Sequence, residues 1–144
     1  MRALLDVNIL IALLDAGHVH HRLAMNWLKR EGQHGWASCP LTQNGCVRIM
    51  SQPGYPNAFT PAQVAGRLAE AIADPAHAFW PADVSLLDAN LFDWSRVLGH
   101  RQVTDIYLLQ LATLRDGRFV TFDKGIPLTA VPAARAENLV ILGE

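Results

Sequence analysis

At 144 residues, 51% hydrophobic and 17% charged, the chain has room for one folded domain with a proper core and is far from a disordered composition. No apolar run approaches the roughly 20 residues that span a bilayer, and an acid at position 6 interrupts the start too early for a secretory signal. A net charge of −1 argues against a dedicated nucleic-acid-binding module, which carries a basic surplus. It leaves nuclease chemistry open, because bound cations supply local positive charge. Cys39 and Cys46 form neither a disulfide framework nor a metal spacing, as suits a reducing compartment. With no repeat, low-complexity tract or linker, the expectation is a single domain over residues 1–144, located in the cytoplasm.

Residues 2–7 (RALLDV) form a short apolar run ending in an acid, which predicts a buried strand. A helix follows over 8–15 with Asn8 as its N-cap, and Asp15-Ala16-Gly17-His18 breaks it. A second helix over 20–31 puts Leu23, Trp27 and Leu28 on one face and stops at Gly32. Residues 35–39 (GWASC) predict a strand, and Pro40 opens a helix reaching about Ser51. Residues 52–59 (QPGYPNAF) are a loop by composition. Thr60-Pro61-Ala62-Gln63 is a capping box, and its helix lines up Val64, Leu68 and Ile72 before ending at Asp74-Pro75. Phe79-Trp80 and Val84 to Leu87 are short apolar pieces, one or both a strand, and a helix is expected over 88–98.

Thr104 is the expected cap of a helix over 105–115 (DIYLLQLATLR), apolar on nearly all sides and hence buried. Residues 118–122 (RFVTF) form a strand closing on Asp123, and 139–142 (LVIL) the last strand. Continuously apolar strands alternating with helices predict a three-layer α/β sandwich with a central, mostly parallel sheet.

Two of these strands end in aspartate, in LLDVN and VTFDKG. Ligands of open parallel sheets bind outside the carboxyl ends of the strands, so Asp6 and Asp123 are expected in one crevice. Asp105, opening a buried helix, is the third candidate. Converging carboxylates attract a hard divalent cation such as Mg²⁺ or Mn²⁺, and without one they repel and their pKa values rise. Each acid has a plainer reading: a turn residue for Asp123, a helix-dipole partner for Asp105. Asp6 is harder to dismiss, since a charge within an apolar strand is costly unless paired or metal-bound. Asp83 is a further candidate, as a water-mediated ligand, while Asp88 and Asp93 read as capping residues.

The cluster His18-Val19-His20-His21 lacks the fourth ligand of a zinc site and reads as a surface group at a helix start. Arg48, His100, Arg101 and Lys124 lie near the candidate segments and could bind phosphate oxygens or simply face solvent. The tryptophans Trp27, Trp36, Trp80 and Trp94 read as core or interface residues.

Four blocks, in order along the chain, resemble the PIN-domain family, and especially the VapC-type toxins of toxin–antitoxin pairs. They are residues 4–13 (LLDVNILIAL), 39–45 (CPLTQNG) with 47–49 (VRI), 99–105 (GHRQVTD) and 121–126 (TFDKGI). The resemblance implies a sheet of about five strands, a homodimer, and a Mg²⁺- or Mn²⁺-dependent endoribonuclease restrained by a cognate antitoxin. Asp6, Asp105 and Asp123 match the family's acidic positions, and Asn8 a polar position that supports the first of them. Gln43 stands where the family pattern usually has a glutamate. Its neutral carbonyl oxygen can still ligate or hydrogen-bond a metal-bound water, so it joins the catalytic candidates, with Arg48, Arg101 and Lys124 as RNA-binding candidates.

Three rival readings are separable. A silent binding module would use its crevice only to grip an antitoxin, and Gln43 is the feature that favours it. A haloacid-dehalogenase-like phosphatase needs a second aspartate two residues after the first, where this chain has Asn8. A response-regulator receiver needs an early acidic pair and a late lysine, which Lys124 beside Asp123 matches poorly.

Overall fold

The computed structural model describes residues 1–143. Its strands are β1 (Ala3–Leu5), β2 (Trp36–Ser38), β3 (His77–Phe79), β4 (Arg118–Thr121) and β5 (Leu139–Ile141). All adjacent pairs are parallel, in the order β3-β2-β1-β4-β5. Five helices connect or flank them: α1 (Val7–Leu14), α2 (His21–Glu31), α3 (Pro40–Met50), α4 (Pro61–Ile72) and α5 (Val103–Leu114).

Strand alternation builds the layers. Ala3, Leu5, Trp36 and Val120 pack with Ile9, Trp27, Met50 and Leu68 of α1 to α4. Leu4, Ala37 and Phe119 pack on the other face with Ile106, Leu108 and Leu109 of α5. The α/β sandwich expected from the continuously apolar strands is the fold observed. The chain winds outward from β1 through β2 to β3, then returns to lay β4 against the other side of β1. The winding therefore reverses between β1 and β4, which is where open sheets of this kind leave a crevice.

Helix α3 approaches α1 closely because residue 45 is glycine: a Cβ there would lie 2.7 Å from Val7 Cγ2. The capping box at α4 forms as its sequence predicts, with Thr60 Oγ1 accepting from Gln63 N and Gln63 Oε1 accepting from Thr60 N.

Three expectations need correction. Helix α1 is capped by Asp6, whose side chain accepts from Val7 N, and Asn8 lies inside it. Thr104 likewise lies inside α5, which continues from a short turn at His100–Gln102. The helix expected over 88–98 does not form. Asp88 and Asp93 bind the N–H groups of Asn90 and Ser95 two residues on, and only a single turn at Trp94–Arg96 results. Such local side-chain bonds compete with helix formation. Of the two apolar pieces of which one or both were expected to be a strand, Phe79 lies in β3, while residues 84–87 form none and the Val84 N–H is taken by the Tyr107 hydroxyl of α5 at 3.4 Å.

Candidate active site

Asp6 follows β1 directly, and Asp123 stands two residues beyond the end of β4, so adjacent parallel strands deliver both acids to the same edge. Asp105 sits in the first turn of α5. The three line one crevice of about 390 Å³ together with Val7, Asn8, Ile11, His18, Ile49, Tyr55 and Arg101.

Asp6 and Asp105 are buried, whereas Asp123 is exposed. Asp6 Oδ1 accepts from Val7 N at 2.7 Å and Oδ2 accepts from the Thr121 hydroxyl at 2.6 Å. Burial nevertheless holds its pKa above the ordinary carboxylate value, against these two bonds, and the charge of Asp123 adds to the rise. Asp105 is shifted further, to about 7, first by burial, then by the charge of Asp6 and by a hydrogen bond to Asp123. A shared bond between two carboxyl groups requires a proton on one of them, so below about pH 7 the metal-free site keeps a proton on Asp105.

Thr121, at the end of β4, organises the group. Besides donating to Asp6, its oxygen accepts from Asp123 N at 3.0 Å and from Asn8 Nδ2 at 3.4 Å. Asn8 Oδ1 in turn accepts from Phe122 N at 3.4 Å, so Asn8 ties α1 to the segment carrying Asp123. Sequence reasoning named Asn8 but missed Thr121. Its only signal was position: it stands two residues before Asp123, at the end of an otherwise apolar strand.

The other candidates disperse. Gln43 does not line this crevice. Its turn of α3 lies over the end of β2, where Nε2 donates to Ser38 Oγ at 3.0 Å, and the residue borders a separate hollow between α3 and α4. Ser38 Oγ lies 2.7 Å from His77 Nε2. Arg101 lines the acidic crevice; Arg48 and Lys124 are exposed and outside its lining. Asp83 pairs instead with Arg115 at 2.9 Å. His18 and Tyr55, the former read as a surface histidine and the latter as a loop residue, both border the crevice.

The donor set, carboxylate oxygens from three aspartates, is of the chemistry that a hard divalent cation prefers. The carboxylates do not already surround a point: among the described residues no group of three His, Cys, Asp or Glu side chains stands in a coordinating arrangement. A larger hollow of about 500 Å³, lined by Leu10, Leu13, Leu14, Met25, Leu28 and Trp36 among others, is apolar and borders none of the three aspartates.

Residues 3–132 match the PIN domain family, and the chain belongs to it. Among its relatives, Ribonuclease VapC44 of Mycobacterium tuberculosis (strain ATCC 25618 / H37Rv) is 52% identical over 142 residues, covering 99% of this chain and all of the relative. Ribonuclease VapC39 of the same strain is 43% identical over 127 residues, covering 88% of this chain and 91% of the relative. The fold is similar to a chain in the crystal structure of VapBC2 from Rickettsia felis bound to a DNA fragment from their promoter. The TM-score there is 0.66 at 14% identity, covering 99% of this chain and all of that one.

Proposed function

We propose that this chain is a metal-dependent endoribonuclease, the toxin of a toxin–antitoxin pair, formed as a single PIN domain over residues 1–144. The observation that carries the reading is the convergence of Asp6, Asp105 and Asp123 on one crevice, with Asp105 pushed to about 7. Full-length relatives named as VapC ribonucleases support the same substrate class.

Asp6, Asp105 and Asp123 would hold Mg²⁺ or Mn²⁺. When bound, such a cation lowers the pKa of a water for in-line attack on a phosphodiester and stabilises the leaving oxygen. The chain's own residues prepare that chemistry. Thr121 and the Val7 N–H fix both oxygens of Asp6. Asn8 holds the Asp123 segment in register with α1. Asp105 releases its proton as the site loads, so binding is coupled to pH. Arg101, on the crevice wall, is placed to meet an incoming phosphate oxygen, with Arg48 and Lys124 farther out along the same RNA.

The partners belong to the same proposal: a cognate antitoxin, a second copy of the chain, and a cytoplasmic setting. Among the described residues no helix is long and apolar enough to cross a membrane.

The test is to incubate antitoxin-free protein with structured and unstructured RNA in Mg²⁺ or Mn²⁺, beside Asp6→Asn and a chelator control. Cleavage that needs the metal and disappears in the variant is the expected result. Cleavage undiminished in folded Asp6→Asn would overturn the site assignment.

A further inference from the structure

The loop between α1 and α2 carries His18 and His20, α2 opens on His21, and the acidic-site chemistry described above uses none of the three. His21 is committed: its Nδ1 lies 2.7 Å from the Ala12 carbonyl, which can only accept, so His21 donates there. His20 packs its ring against Phe122, centroids 5.0 Å apart, one residue before Asp123. His18 is different. It is half-buried and lines the crevice that contains Asp6, Asp105 and Asp123.

The loop that holds His18 is fixed at several points. Gly17 N donates to Asp15 Oδ1, and His18 N donates to the Asp15 carbonyl. Tyr55, itself on the crevice wall, donates its hydroxyl to Asp15 Oδ2. The His18 ring is fixed as well, because its Nδ1 accepts the backbone N–H of His20 at 3.0 Å. A nitrogen that accepts a hydrogen bond carries no proton, so the ring proton resides on Nε2. Protonating Nδ1 would break the His20 bond, and burial and the neighbouring His20 also hold the His18 pKa below its ordinary value. The ring is thereby a neutral donor, with no partner recorded for Nε2 among the described residues.

We propose that His18 is a substrate-binding residue whose Nε2–H donates to a phosphodiester oxygen of RNA lying across the acidic crevice. This rests on the ribonuclease reading above. A neutral donor suits the place: an imidazolium would pair with the aspartates, whereas a neutral N–H adds a contact for RNA without competing with a cation for the carboxylates. It also supplies a contact on the α1–α2 side of the crevice, complementing Arg101 near the start of α5.

Two variants separate contact from loop structure. In His18→Asn the side-chain oxygen can still accept from His20 N, so the loop is kept while the Nε2 donor is lost. His18→Gln places an amide N–H near the lost position. Affinity is measured in the non-cleaving Asp6→Asn background, using two unstructured oligoribonucleotides of unrelated sequence, and KM and kcat in the cleaving protein. The expected result is an affinity loss of roughly ten- to a hundredfold for His18→Asn on both RNAs, the size of one hydrogen bond to a charged acceptor. KM should rise correspondingly with kcat unchanged, and His18→Gln should recover most of the loss. Equal affinity of His18→Asn and its parent would overturn the proposal, as would a loss confined to one sequence, since phosphate contacts are blind to sequence. Absence of RNA cleavage by the unaltered protein would instead overturn the ribonuclease reading, and this inference with it.

Discussion

Two polar networks stand on neighbouring strand pairs of the sheet, and they are finished differently. At the end of β2, Gln43 donates to Ser38, and Ser38 is in hydrogen-bond contact with His77, which opens β3. All three members are uncharged when His77 is neutral, and burial holds the His77 pKa below its ordinary value. That network is closed. At the ends of β1 and β4, Asp6 accepts from Val7 N and the Thr121 hydroxyl, and its pKa is still raised. Asp105 is pushed to about 7, first by burial, then by the charge of Asp6 and by its hydrogen bond to Asp123. The difference shows that a polar network at a strand end does not by itself make a site. A network whose hydrogen bonds leave its charges unbalanced is the candidate site, and a neutral, satisfied one holds strands together.

The sharpest way to break this comparison is at the acids. Asp6→Asn or Asp105→Asn should lower metal-dependent RNA cleavage by about a hundredfold or more, because each removes a charged oxygen from the proposed cation site. Ser38→Ala, in the closed network, should leave kcat within about twofold and cost roughly 1 kcal/mol of stability by chemical denaturation. Comparable losses of activity from both networks would erase the distinction.

Thr121→Val probes the support beneath the acids. It keeps the shape of the side chain but removes the donor to Asp6 and the acceptor for Asp123 N and Asn8. Mn²⁺ affinity by calorimetry should fall about tenfold, the usual range for a residue that orients a ligand. An unchanged affinity would mean that Thr121 serves only the fold.

The pH dependence of stability sharpens the contrast further. Between the ordinary carboxylate value of 3.8 and about 7, the folded chain keeps a proton on Asp105 that the unfolded chain has released. Raising pH through that window therefore favours the unfolded chain. Metal-free protein should melt lower at pH 7.5 than at pH 5.5, by about 5 °C. Asp105→Asn should flatten that slope. Mg²⁺ or Mn²⁺ should raise the melting temperature more at pH 7.5 than at 5.5, since protons compete with the cation. A melting temperature that rises over this range without metal would count against a proton held on Asp105.

The smallest expected effect concerns Gln43→Glu. Were residue 43 at the acidic crevice, the added carboxylate would tighten Mn²⁺ binding severalfold. With Gln43 bound to Ser38 instead, the change should stay within about twofold, and the fold should lose roughly 1 kcal/mol because a carboxylate cannot donate to Ser38. Marked tightening would place the side chain back among the acids.

Much of the molecule was legible in the chain itself. Short apolar strands alternating with helices required a covered parallel sheet, because a strand buried on both faces has no polar side to reveal. The boundaries of α3, α4 and β4 followed from Pro40, the Thr60–Gln63 box and the Asp116-Gly117 stop. The strand-end positions of Asp6 and Asp123 gave the acid pair, and the opening of a buried helix supplied Asp105 as its third member, which the resemblance then matched to an acidic family position.

What the chain could not determine was partnership across distance. Asp88 and Asp93 turned out to spend their carboxylates on local N–H groups, which ended a helix that composition favoured. Gln43 had two possible directions from its turn of α3, and only the packing of that helix against the end of β2 assigned it to Ser38. Thr121 is a common strand residue until β1 and β4 pair and set its hydroxyl against Asp6, 115 positions earlier. His18 is a loop histidine until the same folding closes Asp15, Tyr55 and the α1–α2 loop around it. Periodicity and capping are written into neighbours along the chain, so sequence alone reveals them. Hydrogen-bond partners and the charge imbalance of a crevice depend on which strands meet, and that is decided only when the whole core is buried.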